Sequence, residues 1–222
     1  MIRWVMRPVI YPNSCVVVLP PRLCGSVEYY AYAWRYADYV QDWSRKFDKR
    51  DKDTHRFTIA DTRGQLSLTV PISKPASSSC RWSDIEISTH GAWWDVHRVA
   101  LESAYGRTPF FEFYVDRFLP MLTVGVEDRY PRLEELASAW DAEIRSILGL
   151  PKQGRGDGMS PEVHSEDLVK VDAAEMSALR VKVETTPYYQ VRADKLGFIP
   201  HLSILDLIFN LGPESQLYLQ SL

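Results

Sequence analysis

Cysteine is scarce in this chain. Three residues, Cys15, Cys24 and Cys80, stand at irregular spacing among 222. An odd, unpatterned set is no disulfide framework, and a structural zinc site would need four ligands in paired spacings. The expectation is reduced thiols in a cytoplasmic protein with no bound metal. Long apolar runs are also missing. Nothing approaches the 18 or more residues of a membrane span, and the opening MIRWVMRPVIYPN lacks the apolar stretch of a secretory signal. Nor is there an excess of basic charge. Lys and Arg number 26 against 29 Asp and Glu, for a net charge of -3, which excludes generic nucleic-acid binding. No G-x-S-x-G nucleophile elbow is present. The glycine-rich KQGRGDGMSPE (152–162) lacks the preceding strand and the Lys-Ser/Thr of a phosphate loop, so it reads as a surface loop.

What remains is an ordinary globular composition, 45% hydrophobic and 25% charged, long enough to bury a core without staples. SCVVVLPP (14–21) is a β-branched run closed by prolines, a buried strand. A short helix follows through Val27, Tyr30, Ala31 and Trp34, and DYVQDW (38–43) reads as a second strand. HRFTIADTRGQLSLTVPISKP carries the clearest alternation: Phe57 and Ile59, then Leu66, Leu68, Val70 and Ile72, with the turn at Asp61–Gly64. That is a β-hairpin. WSDIEIS adds a strand through Ile85 and Ile87.

The pattern then becomes helical. Trp94, His97, Leu101, Ala104 and Tyr105 share a face, and Gly106 ends that helix. Thr108 then caps a new one, with Pro109 at its first position and Phe111, Tyr114, Val115 and Phe118 inward. Leu133, Leu136, Trp140, Ile144 and Ile147 stripe a third helix, stopped by Gly149 and Pro151. LRVKVET (179–185) alternates as a strand, and Leu202–Gly212 forms the last helix. The fold class is α+β or irregular α/β with one core. The single domain has a β-rich part over 14–88, a helical part over 92–150, and a return segment with the last helix over 163–215.

Three features carry chemistry. Asp206 lies among Leu202, Ile204, Leu205, Leu207, Ile208, Phe209 and Leu211. One reading makes it the N3 acid of a capping box headed by Ser203. The other turns it into a pocket, where a buried carboxylate demands a partner. His97 stands on an apolar helix face, as a packed core residue or as a general base near neutral pH. His90 lies across Gly91 from that helix, which argues against a metal pair with His97; a metal-dependent hydrolase using His90, His97 and Asp95 is a third, weaker reading. The segment KFDKRDKDTHRF (46–57) is either a solvated loop or an anion clamp, with Arg56 opening a strand.

Four blocks occur in order: PP…YYAY; KR…HRFTI…G.L.LTVPI.KP; W…H…ALE.AY..TPFFE.Y; and YYQ…GFIP.LSILDLIFNLGPES. Together they resemble the WbqC-like protein family of bacteria from about Ser14 to Ser215, and the closing block is the most specific. The resemblance implies a tailoring step in surface-polysaccharide (O-antigen) biosynthesis, the transfer of an acyl or aminoacyl group to a nucleotide-activated amino sugar. By position it implicates Lys49, Arg50, Arg56, His97, Tyr105, Gln190, Ser203 and Asp206. In the implied scheme Arg50 and Arg56 grip the pyrophosphate and His97 takes the amine proton. Asp206 orients His97 or His201, and the amides at Ser203 support the oxyanion. No bound cofactor is implied. The donor is a thioester of coenzyme A or of an acyl carrier protein, and the oligomeric state is left open. Two positions depart from the family pattern. His55-Arg56 stands for Asn-Arg, and Pro200-His201-Leu202-Ser203 for Pro-Asn-Leu-Ser, which makes His201 a substrate contact peculiar to this chain. The competing reading is a non-catalytic binding or assembly protein of the same pathway.

Overall fold

The computed structural model describes residues 16–36, 38–75, 77, 79–150, 168–171 and 186–222. Strand β1 (Val16–Leu19) ends at Pro20 and Pro21, which have no N–H to extend a ladder. Ser26 then caps α1 (Val27–Trp34), its hydroxyl accepting the Tyr29 N–H at 3.3 Å. The helix returns the chain to β2 (Asp38–Gln41), parallel to β1. Much later β5 (Leu168–Lys170) joins the opposite side of β1, again parallel, for a sheet order β2-β1-β5.

The hairpin forms where the alternation places it. Strands β3 (Arg56–Asp61) and β4 (Gly64–Thr69) pair from Arg56↔Thr69 to Asp61↔Gly64. Phe57, Ile59 and Leu68 point into the core, so Arg56, Thr58, Ser67 and Thr69 occupy the outer face. Ile85 and Ile87 are buried, but they do not make the expected strand. Trp82–Asp84 is a 3₁₀ turn, and the backbone beyond it is shared between two short partners. Ser73 N–H donates to the Glu86 carbonyl and Ser88 N–H to Pro71 on one side. Ile87 N–H donates to Pro131 and Leu133 N–H to Ile85 on the other. The prolines have no amide to return, so each contact stops at a bridge.

The helical half comprises α2 (Trp93–Tyr105), α3 (Phe111–Phe118), α4 (Val126–Arg129) and α5 (Leu133–Leu148). Two expectations are corrected. The buried row of α2 starts at Trp93, not Trp94, because 93, 97, 101 and 105 are successive i,i+4 positions. Thr108 does not cap α3. Its N–H and hydroxyl both donate to the Tyr105 carbonyl, at 2.8 and 2.7 Å, so it closes the end of α2 and α3 begins at Phe111. The stripe of α5 is buried as read, and Gly149 ends it in the left-handed region. After α6 (Ala193–Leu196) come α7 (Ile204–Leu211) and α8 (Ser215–Ser221). A tight turn at Gly212 joins the last two. A Cβ there would lie 2.5 Å from the Phe110 ring. The mixture of small sheets and many helices is α+β, strands first and helices after. The glycine-rich 152–162 and the strand expected at 179–185 lie outside the described residues, as does Cys15. Among those described, no helix is long and apolar enough to cross a membrane.

An ion pair fastens α5 to the parallel sheet. Arg145 donates from Nε to Asp141 Oδ2 at 2.6 Å and from Nη2 to the Tyr39 carbonyl at 2.6 Å. Its guanidinium lies 3.6 Å from the Tyr39 ring centroid. Asp141 Oδ1 accepts the hydroxyls of Tyr39 (2.5 Å) and Tyr30 (3.1 Å). Burial holds both phenols well above their usual range, so they remain donors. Nothing in the helical stripe announced these two polar residues as core. The prediction is that Arg145→Ala, which strands Asp141, lowers unfolding free energy by about 3–5 kcal/mol. The double replacement Asp141→Leu/Arg145→Met should recover much of it, as urea titrations will show.

Candidate functional site

The site is built around Leu202–Ile204. Val27 N–H donates to the Leu202 carbonyl at 3.0 Å, Ser203 N–H to Thr58 at 2.8 Å and Ile204 N–H to Gly25 at 2.9 Å. Three backbone bonds thus bring the N-terminal ends of α1 and α7 together, beyond the carboxyl end of β1, against the outer edge of β3. That edge is free to be covered because the neighbouring residues of β3 face β4. Further along it, the Ala60 N–H donates to the Tyr105 hydroxyl at 3.1 Å.

Asp206 is 1% exposed, and it is no capping acid. The amide it would serve is already engaged: the Ser203 N–H donates to the Thr58 carbonyl at 2.8 Å. Ser203 has the extended backbone of an N-cap, yet its buried hydroxyl makes no capping hydrogen bond. The Asp206 carboxylate turns instead toward the irregular segment before α7. Its Oδ2 accepts the Tyr188 hydroxyl at 2.6 Å and the Gln190 amide at 2.9 Å. Burial pushes its pKa up, against the downward pull of bonds from Tyr188, Tyr105 and Gln190. Gln190 also binds both polar atoms of the Ile199 backbone, each at 2.9 Å. Asn210 spans the Asp206 carbonyl (2.7 Å) and the Val191 N–H (3.0 Å). Gln190, Asp206 and Asn210 are therefore the pegs on which residues 188–199 hang. Tyr188 opens from this cluster to the surface, its ring stacked edgewise against Phe198 and Tyr218.

His97 and Asp206 are not a pair. His97 is 2% exposed, packed edgewise on Phe57 and Trp93, and bonded to the Thr69 backbone. It lies eight residues before Tyr105 on α2, about 12 Å along the axis. Burial lowers its pKa from 6.5 to about 4, so the imidazole is neutral and enclosed. Asp206 does not orient His201 either: His201 Nδ1 lies 2.9 Å from Glu28 Oε1.

The basic residues do not converge as a clamp. Lys49 is exposed, and Arg50 forms a surface pair with Asp48 at 3.0 Å. Arg56 donates to the Thr69 hydroxyl at 2.8 Å on the outer face of the hairpin, the side opposite His97. The arginine that does lie at the sheet is Arg22, which the sequence reading passed over. It is 7% exposed and bonds Asp51, the Pro21 carbonyl and Thr54 from Nη1, while its N–H donates to Gln41. Its only sequence signal is its place directly after a strand-ending Pro-Pro. Arg45 lies beyond β2 and donates to the Val171 carbonyl beyond β5 at 3.4 Å. The carboxyl ends of all three parallel strands thus carry a cation: Arg22 after β1, Arg45 after β2 and Lys170 closing β5. Among the described residues, no three of His, Cys, Asp and Glu cluster as metal ligands.

The family model described as the WbqC-like protein family matches residues 44–170, more than half of the chain. The chain belongs to the WbqC-like protein family. No curated protein and no solved structure matches it. The WbqC-like match includes Lys49, Arg50, Arg56, His97 and Tyr105, whereas Gln190, His201, Ser203 and Asp206 lie beyond it.

Two predictions follow the burial of these groups. Below about pH 6.5 the unfolded imidazole of His97 takes a proton that the folded one refuses down to about 4. Stability therefore falls as pH drops through that window, by roughly 3 kcal/mol. His97→Leu should flatten the slope of urea-derived stability against pH there. For Asp206, the desolvated charge is a burden at neutral pH. Asp206→Asn is expected to leave the melting temperature unchanged or higher, and Asp206→Ala to lower stability by about 2 kcal/mol as the pegs for 188–199 go.

Proposed function

We propose that this WbqC-like protein is a cytoplasmic tailoring enzyme of bacterial surface-glycan biosynthesis that acylates, or aminoacylates, the amine of a nucleotide-activated amino sugar. The observation that carries the reading is the set of cations at the carboxyl ends of β2-β1-β5, Arg45 and Lys170 with Arg22 behind them, whose guanidinium is already held by Asp51. In open parallel sheets ligands bind outside those ends, where neighbouring crossovers diverge, and a diphosphate is the anion that arginine grips best. β1 is such a point, with β2 and β5 joined to its two sides. The sugar then extends toward the α1–α7 junction, with the aromatic surface of Tyr188 and Phe198 nearby. The acyl donor is a thioester of coenzyme A or of a carrier protein. The sealing of His97 removes the general base first expected. It favours, as the second reading, a protein that binds the nucleotide sugar without altering it.

The test pairs binding with product formation. Nucleotide-diphosphate amino sugars should raise the melting temperature, and Arg45→Gln should weaken their binding by roughly tenfold, the loss of one charge-assisted contact. Mass spectrometry with acyl-carrier and acyl-coenzyme A donors should reveal the N-acyl sugar. Binding without product supports the second reading. Absence of both overturns the two together.

A further inference from the structure

Where the ends of α1 and α7 meet lies a group that neither the helix stripes nor the family match points to. Glu28, in the first turn of α1, is fully buried, and one of its oxygens has no hydrogen-bond partner. The other lies 2.9 Å from Nδ1 of His201, whose side chain is 42% exposed. A carboxylate on Nδ1 fixes the proton there and leaves Nε2 as the basic nitrogen, facing outward. The backbone at this residue is unusual as well. His201 has φ 63, in the left-handed region and alone among the described non-glycine residues. That conformation costs on the order of 1 kcal/mol and is kept where surroundings over-determine it. Here they do. Gln65 donates to the Pro200 carbonyl at 3.1 Å on one side, and Leu202 and Ser203 are stitched to Val27 and Thr58 on the other.

We propose that His201, standing where the family pattern has Asn, gives this chain a catalytic base of its own, with Glu28 as its positioning residue. The assignment rests on the transfer reading above. The amine of the sugar attacks the thioester carbonyl, forming the C–N bond as the C–S bond breaks. Nε2 of His201 takes the proton the nitrogen sheds and returns it to the departing thiolate. Glu28 holds the tautomer and stabilises the transient imidazolium. The meeting helix ends add positive potential where the carbonyl oxygen gathers charge.

The experiment has a part that needs no substrate. The ¹⁵N histidine spectrum of the full chain should show His201 as the Nδ1–H tautomer, shifting toward Nε2–H in Glu28→Gln. Diethyl pyrocarbonate should modify His201 faster than the exposed His90, and Glu28→Gln should erase that lead. In turnover, His201→Asn keeps a residue type that tolerates positive φ, and it should melt near wild type. It should lower kcat by roughly 10²- to 10⁴-fold with KM little changed. An Nε2–H tautomer in the wild type, no preferential modification, or an undiminished kcat in His201→Asn overturns the dyad. Should wild type form no amide with any donor, the transfer reading falls by itself. The tautomer and modification results then decide whether His201 is a poised base.

Discussion

Three backbone hydrogen bonds made by Leu202, Ser203 and Ile204 join the start of α1, the hairpin and the start of α7. They close the outer edge of β3, which would otherwise present unpaired groups. They also seat α7 against the loop that leaves β1. The positions of Asp206, Glu28 and His201 all follow. Because the amide of Ser203 is spent on Thr58, Asp206 is released from capping and turns to Tyr188 and Gln190. Because Val27 bonds Leu202, the first turn of α1 is covered and Glu28 is sealed beneath it.

Buried charge is handled differently at each place. Asp141 has Arg145 as a full counter-ion and two phenols besides, and it serves architecture. Asp206 is met by neutral donors alone, and burial dominates its titration. Glu28, like Asp206, has one oxygen with no hydrogen-bond partner, and its other oxygen lies on an imidazole that reaches solvent. Of the three carboxylates, only Glu28 has a described partner whose far side is open enough to exchange protons with a ligand.

The hairpin and the stripe of α5 were legible because each is a local period, 2.0 or 3.6, written in apolar residues; β1 stood out as a short apolar run, whereas β5 carried no such signal. Errors began where the period was ambiguous. Trp93 and Trp94 both fit a helix, and only the packing chooses the row. Thr108-Pro109 has the chemistry of a helix start, yet the nearer orphan carbonyl of Tyr105 captured the threonine. The site was less legible for another reason. Nothing local sets Glu28 apart, and its partner lies 173 residues away. Asp141 and Arg145 lie outside the apolar stripe of α5, and Tyr30 and Tyr39 are visible as their partners only in the fold. Gln190 and Asp206 were found through the closing motif, but what they hold, the Ile199 backbone, is not written in either residue.

The order of the strands has a consequence for how the protein is made. β1 leaves the ribosome first, yet its partner β5 starts at Leu168, and the bonds that cover the first turn of α1 come from residue 202 onward. Loop closure over such separations is slow. For most of translation the nascent chain carries a finished hairpin beside an unfinished parallel sheet, its apolar central strand open to other chains. Assembly is therefore late and cooperative, and a ribosome stalled before residue 168 would hold a chain primed to aggregate.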